Sequence, residues 1–142
     1  MSQRKLTDLI TEQIAIENAV EKEMGEQEKK VDTVAAKLLL LEVRLDAYKH
    51  AKILEAILNV IGEKPESLWD YRVKSYADSL TVKKELQKHM IREKYTLQQV
   101  EEEMKETKDE AVKLLLQHIL EDERKHHKIF ETIIKKAYML SP

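Results

Sequence analysis

Two carboxylates and two imidazoles occur at matched positions in the two halves of the chain. A shift of 76 residues places Glu17 on Glu93 and His50 on His126. Carboxylate oxygens and imidazole nitrogens are ligands that divalent transition metals accept from proteins. Cysteine is absent from the sequence, which excludes thiolate metal sites, disulfides and thiol catalysis. The matched residues therefore indicate an oxygen- and nitrogen-ligated metal site.

A Glu-x-x-His motif strengthens this interpretation. Glu123 and His126 are three residues apart, a spacing that places both side chains on one face of a helix. Four-helix proteins that bind two iron or manganese ions take one Glu from each of two helices and one Glu-x-x-His from each of the other two. Asp46, four residues before His50, is a further candidate as a metal ligand or as a residue that orients the imidazole.

The four matched residues also interrupt apolar stripes. Each of them lies in a series of apolar residues spaced by seven, the pattern of a helix face that packs on a core. A carboxylate buried in such a face costs several kcal/mol unless it is paired, protonated or bound to a cation. A metal-free core, in which these groups hydrogen-bond to one another and fix the helix register, is the alternative. The repetition of the same residue types favours the metal site.

Four helices are predicted to position these residues. The apolar periodicity, with only two Gly and two Pro in the chain, predicts helices over 4–29, 33–61, 78–106 and 109–139. Asp32 or Thr33 is the expected N-cap of the second helix. The first two helices are separated by only a few residues, as are the last two, so each couple is predicted to form an antiparallel hairpin. The connection over 63–77 contains Pro65 and Trp69, and a long crossover is favoured over a short loop.

The two hairpins are predicted to have arisen by duplication. Residues 14–57 align with 90–133 without a gap, and 15 of these 44 positions are identical. The expected halves are about 4–62 and 78–139, and the length of 142 residues predicts a single domain over 1–142.

The sequence resembles the rubrerythrin-like branch of the ferritin-like superfamily over nearly the whole chain. Glu17, residues 46–50 (Asp-Ala-Tyr-Lys-His), Glu93 and residues 123–127 (Glu-Arg-Lys-His-His) carry the resemblance. It implies an all-α, ferritin-like antiparallel four-helix bundle with iron, or alternatively manganese, as its cofactor. It also implies oxidation of iron(II) by oxygen or peroxide, or reduction of peroxide. The metal ligands implied by the resemblance are Glu17, His50, Glu93, Glu123 and His126.

The chain departs from the family pattern at Ala47, the position matched to Glu123. One bridging carboxylate is thus missing, and Asp46 points about 100° around the helix from this position. A di-iron site, a mononuclear site, an asymmetric pair of metals and a vestigial site all stay open. The cysteine-bound electron-transfer module of the family is absent as well. A metal-free helical bundle acting as a structural, dimerisation or interaction module is the alternative function.

The charge and the hydrophobicity of the sequence limit the kinds of partner that we expect. The formal net charge of −2 and the lack of a basic block argue against nucleic-acid binding. No apolar run approaches the roughly 18 residues needed to span a membrane, and the first residues lack the features of a signal peptide. The expected location is therefore the cytoplasm, with metal ions as partners and a homodimer as a possibility. His89 and His118 are expected at the core edge or surface, and His127 is expected to point into solvent.

Overall fold

A computed structural model of the chain describes residues 3–62, 68–69 and 79–138. Within these residues the protein is all-helical, with four helices and no strand. The helices are α1 (Gln3–Glu28), α2 (Val34–Val60), α3 (Ser79–Glu106) and α4 (Glu110–Ala137). Their ends agree with the predicted ends to within two residues, so the all-α class is confirmed. The predicted crossover over 63–77 lies, apart from Trp69 and its neighbour Leu68, outside the described residues.

Sequence composition explains why these helices are long. Each helix has 26 to 28 residues, about 40 Å at 1.5 Å per residue. Leu, Glu and Lys, which have high helix propensity, are frequent in all four, and proline is absent from them. Exposed pairs such as Lys52 with Glu55, whose Nζ and Oε2 lie 3.3 Å apart, add a few tenths of a kcal/mol each. No helix among the described residues has the length and apolarity needed to cross a membrane.

Side-chain caps determine where α2 and α4 begin. The hydroxyl of Thr33 accepts a hydrogen bond from the Ala36 backbone N–H at 3.1 Å, which confirms Thr33 as the N-cap. The carboxylate of Asp109 accepts from two backbone N–H groups, those of Ala111 at 2.9 Å and Val112 at 3.0 Å. Each cap satisfies donors that the first helical turn leaves without partners.

Loss of these caps is expected to destabilise the protein to different extents. Thr33→Ala should lower the free energy of unfolding by about 1 kcal/mol. Asp109→Ala should cost more, because Asp109 accepts two hydrogen bonds and its charge also interacts with the positive end of the helix dipole. Urea unfolding of both variants measures the difference. A smaller loss for Asp109→Ala than for Thr33→Ala would contradict this assignment.

The chain divides into two compact units, Met1–Lys64 and Pro65–Pro142. In the first unit α1 packs on α2, and in the second α3 packs on α4. We refer to α1 with α2 as the first helix pair and to α3 with α4 as the second helix pair. A single domain over 1–142 would require the two units to pack on each other, and this stays a prediction.

The two helix pairs bury different residue types at matched positions. In the first pair, Ala47 and Ala51 are the most buried residues of α2, at 3% and 2% exposure. The matched positions of α4 carry Glu123 and His127, both half-buried. The second pair thus places polar groups on the face where the first pair places small apolar ones. Carboxylate and imidazole groups are possible metal ligands, whereas the alanine side chain is not.

Candidate metal centre

Three predicted ligands converge in the second helix pair. Helix α3 supplies Glu93, and α4 supplies Glu123 and His126. One ligand atom of each residue lies within 4.8 Å of a ligand atom of the other two. His126 Nδ1 and Glu123 Oε2 are 3.8 Å apart, which is too long for a hydrogen bond but short enough for a shared ion. We call Glu93, Glu123 and His126 the carboxylate–histidine cluster.

Neighbouring buried residues explain the orientation of this cluster. Glu93 is seven residues before the buried Val100, and Glu123 is three residues after the buried Leu120. Both carboxylates therefore lie near the faces on which α3 and α4 pack together. The Glu123 side chain is 19% exposed, whereas that of His126, about 60° further around α4, is 47% exposed. The cluster thus has two shielded carboxylates and one open side at the imidazole.

One oxygen of the Glu93 carboxylate has no hydrogen-bond partner in the part of the chain that the structure describes. Glu93 Oε2 is buried and accepts no hydrogen bond from any described residue. A buried polar atom without a hydrogen bond is unusual and calls for an explanation such as a bound ion or water. The nearby Glu123 carboxylate adds negative charge, which a cation between the two groups would offset. Two carboxylates and one imidazole suit iron(II) or manganese(II), so the residues fit the metals that the resemblance implies.

In the first helix pair, the matched carboxylate, that of Glu17, has a hydrogen-bond partner. His50 Nδ1 and Glu17 Oε2 lie 2.7 Å apart, a hydrogen bond between α2 and α1. Glu17 is 16% exposed and His50 is 51% exposed. In the metal-free alternative the matched carboxylates and imidazoles hydrogen-bond to one another, and the contact between Glu17 and His50 has that form. Glu17 and His50 therefore have a metal-free explanation that Glu93 lacks.

Two neighbouring positions of α2, Asp46 and Ala47, have different surroundings. Ala47 is buried in the first pair and supplies no donor. Asp46, a candidate metal ligand or a residue that orients the imidazole, has its Oδ1 3.7 Å from Lys49 Nζ. The lysine contact is therefore present, and metal ligation by Asp46 stays a prediction.

Breaking the His50–Glu17 contact is expected to cost stability even without metal. His50→Ala should lower the free energy of unfolding by about 1 kcal/mol in the presence of chelator, because Glu17 loses its partner while largely shielded. His126→Ala is the matched control, and it should cost less because His126 makes no hydrogen bond shorter than 3.5 Å to Glu123. Urea unfolding measures both losses. Equal losses would show that the Glu17 contact contributes nothing specific.

The remaining histidines have separate explanations. His118 Nε2 is 3.3 Å from Asp122 Oδ2, one turn later on α4, and the exposed His89 stacks on Phe130 with ring centroids 5.8 Å apart. Both agree with the expected edge or surface positions. The expectation for His127 was wrong, because its Nδ1 is buried. In the repeat, His127 is matched to Ala51 of α2, and this match to a small apolar residue is the feature of the sequence that could have indicated a buried position.

The ion pair between Arg44 and Glu28 was not predicted from the sequence. The Arg44 guanidinium donates from Nε and Nη2 to the Glu28 carboxylate, the Nη2 bond measuring 3.4 Å. This hydrogen bonding raises the pKa of Arg44 above its ordinary value. A Cβ at Gly25 would lie 3.4 Å from Arg44 Cδ, so the Arg44 side chain extends over this glycine. The contact ties the end of α1 to α2 and has a structural role.

By fold and site, the chain is a helical protein with a carboxylate–histidine cluster in its second helix pair. A comparison with protein-family models, with curated proteins and with solved structures finds no match to the chain. The ferritin-like resemblance consequently rests on the residues quoted for it. Of that ligand set, the structure brings Glu93, Glu123 and His126 together in the second unit, and Glu17 and His50 together in the first.

Proposed function

We propose that this protein binds iron(II) or manganese(II) through Glu93, Glu123 and His126. The single observation that carries the proposal is the buried Glu93 Oε2, which has no hydrogen-bond partner among the described residues and lies next to a second carboxylate. A divalent cation offsets the charge of both carboxylates and gives the orphaned oxygen a partner. The same helix positions in the first pair hold Glu17 hydrogen-bonded to His50, which removes this need there.

The finer fold proposal is a ferritin-like, antiparallel arrangement of the helices. In the first pair, Glu28 near the end of α1 contacts Arg44, whereas the earlier Glu17 contacts the later His50. This order supports opposite directions for α1 and α2. The internal repeat extends the same arrangement to α3 and α4. A ferritin-like four-helix bundle consists of two such hairpins, and the hairpin that faces the carboxylate–histidine cluster belongs either to the same chain or to a second copy.

The proposed activity is oxidation of iron(II) by oxygen or peroxide, or reduction of peroxide, as the ferritin-like resemblance implies. A bound iron or manganese ion supplies the redox chemistry. Glu93 and Glu123 offset the charge of the ion from the shielded side of the cluster. His126, which is half-exposed, adds a neutral donor on the open side, where a small oxidant can approach.

A metal titration of matched variants tests this proposal. His126→Ala should weaken manganese(II) binding at least about tenfold, because loss of even an outer-shell partner of a metal ligand costs that much. His50→Ala, the matched change in the first pair, should leave the affinity within about twofold. Calorimetric titration of the untagged protein with manganese(II) measures both. Equal weakening in the two variants would contradict the assignment to the second helix pair.

A metal-free structural or interaction module is the second candidate function. The Glu17–His50 hydrogen bond favours it, because a largely shielded carboxylate has a hydrogen-bond partner there without a metal. The apolar side chains of Leu38, Leu45 and Ile53 on α2 are 40% to 51% exposed and offer a surface for a partner helix. This function is favoured if the wild-type protein binds neither iron(II) nor manganese(II) and if Leu45→Asp disrupts an oligomer.

A further inference from the structure

The carboxylate–histidine cluster is half of a known ligand set. Two-metal sites in helical bundles use two single Glu residues and two Glu-x-x-His motifs. The second helix pair provides one Glu, Glu93, and one motif, formed by Glu123 and His126. In the first pair, Ala47 stands at the position of the second motif's Glu, and His50 is hydrogen-bonded to Glu17.

We propose that the second half comes from a second copy of the chain, whose own Glu93, Glu123 and His126 face those of the first copy across a twofold axis. The inference rests on the proposed function, since it names the partner that completes that site. In a twofold interface every residue occurs once on each side, so two half-sets give one complete set. The four carboxylates of the complete set offset the charge of two divalent ions.

The surface around His126 fits a second copy. His126 lies in an exposed stripe of α4 that contains Val112 and Ile119, two and one heptads earlier, at 38% and 40% exposure. Large apolar side chains beside an exposed ligand favour burial against another apolar surface, at about 25 cal/mol per Å². The same stripe of a second copy offers that surface, and it brings the missing ligands with it.

Metal binding and dimerisation are coupled if this proposal holds. A metal ion that binds the dimer more tightly than the monomer must favour the dimer by the same factor. The apparent affinity for manganese(II) therefore rises with protein concentration. A site formed within one copy has an affinity that does not depend on protein concentration.

Two matched variants separate the interface from the ligands. Ile119→Asp places a charge in the exposed stripe of α4 without changing any ligand. Val43→Asp places the same charge at the matched position of α2, which is 46% exposed and so similarly tolerant of a polar residue. Circular dichroism of both variants in chelator controls for folding, and both are expected to keep the helical content of the wild type.

Sedimentation equilibrium and manganese(II) titration of the full chain test the proposal. The wild type and Val43→Asp should form a dimer with manganese(II), with about one ion per chain, and should revert towards monomer in chelator. Ile119→Asp should stay monomeric and bind manganese(II) at least about tenfold more weakly. The wild-type affinity should also rise with protein concentration, a measurement that requires no variant to fold.

Two results would overturn the proposal, and they are distinguishable. A monomer that binds manganese(II) with an affinity independent of protein concentration overturns the two-copy site but leaves the proposed function intact. This result would also follow if other residues of the same chain completed the site. A wild-type protein that binds no manganese(II) and no iron(II) at any concentration overturns both.

Discussion

Glu93→Gln is expected to abolish measurable metal binding, with the affinity for manganese(II) falling more than about 100-fold. The amide keeps the shape of the side chain but removes the charge that the ion requires. Without metal the same variant should unfold at equal or higher urea concentration, since the buried Oε2 without a partner becomes part of a neutral group. If Glu93 is a metal ligand, the substitution lowers the affinity for metal but does not lower the stability of the metal-free protein. For a packing residue, the substitution would lower the stability of the metal-free protein.

The internal repeat provides the control for this experiment. Glu17→Gln changes the matched residue of the first helix pair, whose carboxylate accepts a hydrogen bond from His50 at 2.7 Å. This variant should retain metal binding but lose about 1 kcal/mol of unfolding free energy in chelator. If Glu17→Gln abolishes binding as completely as Glu93→Gln, the ligand set extends to the first pair.

Bound metal is expected to raise the melting temperature by about 8 °C. An ion at a free concentration 100 times its Kd adds about 2.7 kcal/mol to stability, and a chain of this length gains about 3 °C per kcal/mol. Thermal unfolding with manganese(II) and with chelator measures the shift. The shift should shrink as the pH falls, because protons compete with the ion for imidazole and carboxylate ligands.

The Glu93→Gln variant is the control for the melting experiment, and it should show the same melting temperature under both conditions. Equal melting temperatures for the wild type with and without metal would instead support the metal-free module. A shift of the same size in wild type and variant would place the stabilising ion at another site.

The helices were predictable because local signals agree with one another. Apolar periodicity runs through all four helices, and Thr33 and Asp109 provide caps at the starts of α2 and α4. The cluster was also largely predictable. The spacing of three residues between Glu123 and His126 places them together on α4, and the repeat identifies Glu93 as their counterpart on α3.

The orientation of the helices about their axes was less predictable. The heptad containing His50 suggested an inward position, yet the structure turns the adjacent heptad, that of Ala47, towards α1 and leaves His50 half-exposed. Both heptads of α2 are apolar, so periodicity alone cannot choose between two stripes that differ by a rotation of the helix. The small size of Ala47 and Ala51, which allows close approach of two helices, decides the packing.

The difference between Glu17 and Glu93 was not visible in the sequence either. The two residues match in the repeat, and so do His50 and His126. Only the side-chain geometry shows that Glu17 has a hydrogen-bond partner and that Glu93 Oε2 has none among the described residues. Matched residues of a duplicated chain can therefore differ in function when one neighbouring position, here Ala47 against Glu123, has changed.

Elemental analysis of the purified, untagged protein tests the central claim most directly. We expect about one iron or manganese ion per chain after exposure to iron(II) or manganese(II) and removal of unbound ions. The content should be unchanged in Glu17→Gln and close to zero in Glu93→Gln. Metal in only a small fraction of wild-type chains, at the same level in both variants, would contradict it.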